Sequence, residues 1–296
     1  MSGSRVLVVG ATGQLGRVIT RKLVAAGTQV RAVARNRQAL EQLSGAEVAA
    51  VDLRNVPALT EACRGVDQII ATANNNMGTG ATSPTRIDLS GYQNLCAAAR
   101  NTGVRRLTYV SYKGVTQDAP VDIFRIKWYI EDAIRRSGVP YIMLRPTAFM
   151  ETWIDEVLAK RIREKGNAMI FGDGNTVANY IAVDDVAEFA VKIAGRPEIM
   201  NEAIDAGGPS NVTQNQLASL VERRLNVSSK RRHIPVAALR LLPPIVRPFN
   251  EVGARLMTLG LYAATEARPF PGWKVNADRF GIAPRTVEAY VESMSG

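Results

Sequence analysis

Residues 6–19 read VLVVGATGQLGRVI. An apolar run ends in Gly10, glycines recur at Gly13 and Gly16, and a stretch with apolar residues at helical spacing follows. Three glycines where a buried strand gives way to a helix constrain a chain strongly. Glycine lets the backbone turn sharply, lets a bulky anion touch the main chain, and lets the helix pack close to the strand. The unpaired amides and dipole of the new helix then face that anion. A dinucleotide pyrophosphate fits this description, and a glycine-rich turn without ligand is the plain alternative.

The surroundings decide between them. Short apolar strands at 6–9, 29–34, 47–51, 67–71, 106–111 and 141–144 alternate with helical patterns, including 87–99 and 122–137. Such alternation with short connections predicts right-handed βαβ units and a doubly wound parallel sheet, a Rossmann fold. Ligands of that fold bind beyond the carboxyl ends of the strands, where the glycine turn lies. From Pro146 the alternation loosens. A helix is expected over 152–165, a further strand at 203–207, and mostly helix thereafter, with a proline-broken apolar segment at 237–249 (AALRLLPPIVRPF). The expected organisation is a nucleotide-binding domain over 1–150 and a smaller, mostly helical substrate or lid lobe over 151–296. Residues 179–208 return to the first sheet. The 237–249 segment could wall in a flat apolar substrate, pack against the 213–224 helix through Leu217 and Leu220, or meet an anionic membrane surface through Arg240 and Arg247.

Composition narrows the classes. The chain has 296 residues, enough for a large core. Its two cysteines, Cys63 and Cys96, sit in helical stretches and read as packed thiols; with His233 as the one histidine, no metal cluster is expected. No apolar run approaches the roughly 20 residues of a membrane span, and no signal segment is recognised, so a cytoplasmic protein is expected. Lysine and arginine number 37 against 27 acids, with excess at 223–232 (RRLNVSSKRR). Without aromatic interleaving or zinc-finger spacing, this reads as a solvated basic surface rather than a nucleic-acid site.

The pieces VLVVGATGQLG, VRAVARN, VDLRN, RLTYVSYKG, IKWYIEDAIRRSGVPYIMLRPTAFME and ANYIAVDDVAEFAV together resemble the NmrA-like branch of the atypical short-chain dehydrogenase/reductases. The resemblance implies a nicotinamide cofactor held by Gly10, Thr12, Gly13, Gln14, Leu15 and Gly16. It puts Asp52 and Leu53 beside the adenine, and Ala71, Thr72 and Ala73 on the nicotinamide ribose side. Pro146, Thr147 and Ala148 also fall on the cofactor. Where an NAD-preferring chain carries an acid after the second strand, this one has Arg35 and Asn36, and a guanidinium fits a 2′-phosphate bidentately. NADP(H) is therefore the expected cofactor.

Reductases of the broad family use a serine, a tyrosine about a dozen residues on, and a lysine four beyond that. Ser111 and Lys127 match, but the tyrosine position is Ile123, which cannot transfer a proton. Neither adjacent Tyr112–Lys113 nor Tyr129, on another helix face, can replace it. The resemblance implies Lys127 as ribose holder and proton donor alongside Ser111, with Glu131 as its ion-pair partner. Three readings follow: an NADPH-dependent reductase of a hydrophobic quinone- or enone-like molecule; a non-catalytic NADP(H) sensor or assembly factor with a protein partner; and a sugar-nucleotide epimerase, which the isoleucine opposes. The chain could be a monomer or a dimer.

Overall fold

The computed structural model describes residues 4–75, 78–80 and 84–294. Two compact units emerge. The first is the chain up to Ala119 with Ile123–Arg145 and Val186–Ile204; the second is Pro120–Asp122, Pro146–Asp185 and the chain from Asp205.

The first half runs β1 (Arg5–Val9), α1 (Gln14–Ala25), β2 (Gln29–Ala34), α2 (Arg37–Glu41), β3 (Glu47–Ala50) and α3 (Val56–Cys63). It continues β4 (Gln68–Ala71), α4 (Pro84–Asn101), β5 (Arg106–Val110), α5 (Asp122–Arg136) and β6 (Tyr141–Pro146). Then come β7 (Ala148–Phe149), a helical segment Glu151–Ala159, α6 (Lys160–Lys165), β8 (Asn167–Phe171), β9 (Val177–Ile181), α7 (Val183–Ala194) and β10 (Glu202–Ala206). The remainder is β11 (Asn211–Thr213), α8 (Gln214–Leu225), β12 (Lys230–Ile234), α9 (Val236–Leu241), α10 (Pro243–Val246), α11 (Glu251–Thr265), α12 (Trp273–Phe280) and α13 (Val287–Glu292).

Seven strands form one sheet in the order β10-β6-β5-β4-β1-β2-β3. The registered pairs β1–β2, β1–β4, β2–β3, β4–β5 and β5–β6 are all parallel, the doubly wound arrangement the sequence predicts. Helices cover both faces, so β4 and β5 are buried at every position, which is why they read as apolar runs rather than as alternation. The strand order reverses at the β1/β4 boundary, the point where such sheets open a crevice. Leu7, Leu59, Ile69, Tyr92, Leu107, Tyr109, Ile130 and Met143 belong to the core around these strands. At the start of β5, buried Arg106 donates to the carbonyls of Ile193, Arg196 and Ile199, satisfying backbone at and after the end of α7.

The second unit has its own core, including Met150, Ile154, Leu158, Ile170, Tyr180, Leu217, Val221 and Tyr290, with a three-stranded sheet β11-β9-β7. Two expectations change here. The 152–165 segment is not one α-helix: it is π-wound over Glu151–Ala159 and α-helical only from Lys160. The end of the basic run forms β12, paired parallel with β8, because Arg231 and Ile234 turn partly inward while Lys230 and Arg232 stay in solvent. Both cysteines are buried and unbridged, and burial pushes each thiol up to about 11. Among the described residues no helix is long and apolar enough to cross a membrane.

Candidate functional site

The turn after β1 shows which glycines the fold itself requires. Gly10 has φ +84°, and a Cβ there would lie 2.6 Å from the Ala73 amide nitrogen. A Cβ on Gly16 would lie 2.1 Å from the Gly10 carbonyl oxygen, so this glycine lets α1 sit against the turn. Gly13 is different. Its φ of −69° suits any residue, and a Cβ would meet only the Gly10 oxygen, at 3.3 Å. Internal packing barely requires Gly13; a ligand lying on the turn would. Gly13 is the N-cap of α1, gives no side-chain cap, and is followed by no acid in the first turn. The first-turn amides of Gln14, Leu15 and Gly16 have no acceptor within the helix. Gly13 and Gln14 are exposed and Thr12 half-buried, whereas the Leu15 side chain is buried, leaving only its backbone to face a ligand. This cradle fits a pyrophosphate.

At the ends of β2 and β3, Arg35 is exposed and Asn36 is committed to capping α2, its Oδ1 accepting from the Ala39 amide at 3.1 Å. Asp52 is clamped by Arg54: its Oδ1 accepts from Nε at 2.9 Å and its Oδ2 from Nη2 at 2.7 Å. The hydrogen bond from Arg54, against some burial and helped by the charges of Arg54 and Arg35, lowers the Asp52 carboxyl to about 2. Leu53 packs beside Gly91, and its carbonyl accepts from Asn94 at 3.0 Å.

Beyond β4 the chain is pinned in place. The Thr72 amide and hydroxyl both donate to the Val9 carbonyl, at 2.9 and 3.0 Å, tying this end to the glycine turn. Ala71 is buried, the Ala73 carbonyl accepts from the Tyr92 hydroxyl at 2.7 Å, and the Asn75 amide donates to Asp88 at 2.9 Å. Asp88 and Tyr92 were missed from the sequence. Their i,i+4 spacing on α4, an acid and a phenol on one face of an otherwise core-packing helix, was the available signal.

The end of β5 gathers the groups expected to act chemically. Ser111 is buried, its amide donates to the Leu144 carbonyl at 2.8 Å, and its Oγ has no hydrogen-bond partner among the described residues. The Lys127 ammonium, on α5, donates to the carbonyl of the preceding Val110 at 3.2 Å and lies 5.2 Å from the Tyr109 ring centroid. Burial lowers Lys127 to about 8, with the carboxylates of Asp88 and Glu131 working the other way. Tyr109 meets Tyr92 edge-on at 4.7 Å, and burial raises both phenols well above their ordinary range.

Glu131 does not form the ion pair with Lys127 expected from the sequence. Its buried carboxylate is taken by Arg145, at 2.9 and 2.5 Å, and by Arg135 at 2.5 Å. Two bidentate-capable guanidiniums reach it more completely than an ammonium engaged elsewhere. Ile123 is half-buried one helical turn before Lys127, and Phe124 stacks on the Tyr112 ring with centroids 4.6 Å apart. Tyr129 is exposed beside Trp128.

Pro146, Thr147 and Ala148 belong to the second unit. Pro146 closes β6, the Thr147 hydroxyl donates to Asn179 Oδ1 at 2.9 Å, its amide donates to the Ala206 carbonyl, and Ala148 pairs with Tyr180 in β7–β9.

A family model described as NAD(P)H-binding matches residues 10–197. The photosystem II assembly factor Ycf39 of Trieres chinensis is 26% identical over 241 residues, covering 81% of this chain and 75% of that protein. The (4-alkanoyl-5-oxo-2,5-dihydrofuran-3-yl)methyl phosphate reductase of Streptomyces griseus is 31% identical over 288 residues, covering 90% of this chain and 96% of that protein. Among solved structures, the NADPH complex of the quinone oxidoreductase QOR2 from Escherichia coli superimposes with a TM-score of 0.79. It is 20% identical and covers 97% of this chain and 98% of that one.

Proposed function

This chain belongs to the NAD(P)H-binding family, in its NmrA-like, atypical short-chain dehydrogenase/reductase branch, and from that premise we propose an NADPH-dependent reductase of a hydrophobic enone- or quinone-like molecule. One observation carries the reading. The Ser111 hydroxyl is buried without a hydrogen-bond partner among the described residues, directly after the carbonyl that holds the Lys127 ammonium. Burying an unsatisfied hydroxyl costs folding free energy, so its placement makes sense when a ligand oxygen accepts from it.

The residues divide the work. The open side of Gly13 and the first-turn amides of Gln14–Gly16 would take the pyrophosphate, and Arg35 the 2′-phosphate. Arg54 covers the Asp52 carboxylate, which would otherwise repel that phosphate. Leu53 would lie under the adenine, and Ala71, Thr72 and Ala73 would line the nicotinamide ribose. When bound, the nicotinamide supplies a hydride. Ser111 would then polarise the substrate oxygen, and Lys127, largely protonated at neutral pH with a value of about 8, would donate the proton that Ile123 cannot. A substrate activated by conjugation suits a site without the tyrosine acid, because it accepts hydride readily. The Streptomyces griseus relative is named for reducing an acyl-substituted unsaturated lactone that carries a methyl phosphate, which agrees with the conjugated acceptor though not with its apolar character.

The second reading is a cofactor-bound assembly factor or sensor. Ile123 and the likeness to Ycf39 favour it. Mixing the purified protein with NADPH and a panel of quinones, enones and aldehydes, while following nicotinamide absorbance, separates the two. Consumption with a quinone or enone supports the reductase; saturable NADPH binding with no consumption across the panel supports the second reading.

A further inference from the structure

The second unit presents a surface that its own packing leaves bare. Leu239 and Pro243 are buried and anchor α9 and α10. Around these anchors, Leu241 is 65% exposed, Leu242 40%, Ile245 64% and Phe249 90%. Four large apolar side chains left in water within nine residues of sequence are a standing cost. Prolines at 243, 244 and 248 stiffen the segment and interrupt a continuous helix, so the side chains cannot fold inward by extending α9.

Along the sequence through this segment the charge has one sign. Between Glu222 and Glu251 the chain carries seven lysines and arginines and no acid. Arg231 is paired with Glu222 and Arg247 with Asp122. Arg223, Lys230, Arg232 and Arg240 are exposed and have no acidic partner among the described residues. An anionic surface complements those cations, and only one with an apolar interior also takes up leucine, isoleucine and phenylalanine. A nucleic acid offers the charge without the interior. Pairing with a second copy across a two-fold axis would set this face against itself and bring the same cations together.

We propose that the α9–α10 segment with Phe249 is a peripheral docking surface for an anionic lipid bilayer. Leu241, Leu242, Ile245 and Phe249 enter the headgroup–acyl boundary, while Arg223, Lys230, Arg232 and Arg240 meet the lipid phosphates. The docking does not depend on the activity of the first unit's site.

Vesicle co-sedimentation of the full chain tests this. Vesicles of phosphatidylcholine alone are compared with vesicles containing phosphatidylglycerol, at about 0.05 M and about 0.5 M salt. Two double variants accompany the wild type: Ile245→Ser with Phe249→Ser, and Arg232→Gln with Arg240→Gln. NADPH affinity and the elution volume on size exclusion report on folding and association. The proposal expects binding to the anionic vesicles that weakens in high salt. It expects a loss of roughly 100-fold in partitioning for the apolar variant, at about tenfold per side chain, and a clear loss for the charge variant. No sedimentation of the wild type, or equal sedimentation of wild type and both variants, overturns it. So does an apolar variant that shifts oligomeric state while vesicles bind nothing, since the face would then belong to a second copy. Salt-sensitive binding to duplex DNA in the absence of vesicle binding would likewise overturn it.

Discussion

Alanine at Gly13 and at Gly16 should separate what the glycine turn does for the fold from what it does for the cofactor. At Gly16 the new methyl would stand 2.1 Å from the Gly10 carbonyl oxygen, more than 1 Å inside ordinary contact. Relieving that overlap means pushing α1 off the turn, an overpacking cost of about 1–3 kcal/mol or more. For a chain this long that lowers the melting temperature of the apo protein by several degrees, at about 2–4 °C per kcal/mol. At Gly13 the methyl meets one oxygen at 3.3 Å, and φ is −69°. Losing glycine at an N-cap costs about 0.5 kcal/mol or slightly more, and stiffening the unfolded chain returns about 0.4–1 kcal/mol. The two nearly cancel, so the apo melting temperature of Gly13→Ala should stay within about 2 °C of wild type. Its NADPH affinity should fall at least roughly tenfold, because the methyl occupies the side proposed for the pyrophosphate. Thermal melts of the apo proteins and NADPH titrations by nicotinamide fluorescence give both quantities. A Gly13→Ala protein that binds NADPH normally would refute the reasoning, as would one whose apo form loses as much stability as Gly16→Ala.

The remaining predictions concern charge. Arg35→Ala should weaken NADPH by roughly 10- to 150-fold, the loss of one hydrogen-bonded charge of about 1.5–3 kcal/mol, and leave NADH nearly unchanged; equal losses in parallel titrations count against a 2′-phosphate role. Lys127 titrates near 8 instead of its ordinary 10.5, so turnover that needs its proton should fall as pH rises through 8, and Lys127→Met should be slow and flat across that range. The same shift fixes a sign for stability. Between about 8 and 10.5 the unfolded chain holds a proton on Lys127 that the folded chain has released, so stability gains from this residue as pH rises through that window. Denaturant melts of wild type and Lys127→Met across it should differ by that slope.

Much of the first unit was legible because its sheet is buried on both faces. VLVV, QIIA and RLTYV could be read as apolar runs, and the helices between them carry their core residues at helical spacing. The glycine turn was equally plain, since a strained φ at Gly10 and a close approach at Gly16 admit no other residue. What the sequence hid is long-range pairing. Glu131 lies four residues from Lys127, a spacing that suggests a local ion pair, yet Arg145 from β6 takes it across the fold. A local pair was hidden as well: Arg54 lies two residues from Asp52, and nothing in that spacing signals a bidentate clamp. β12 was hidden for another reason: a strand of Lys-Arg-Arg-His-Ile buries little, and pairing with β8 alone gives it no apolar signature.

The central claim is that the buried Ser111 hydroxyl, unpartnered among the described residues, serves a reacting oxygen, and kcat of Ser111→Ala with the best quinone or enone substrate tests it most directly. A hydrogen-bond donor aimed at developing charge is worth about 10²–10³-fold in rate, so kcat should fall by roughly that factor while NADPH affinity is unchanged. The apo protein should be as stable as wild type or slightly more so, since the substitution removes an unsatisfied buried group. A Ser111→Ala protein that turns over at the wild-type rate would contradict the account.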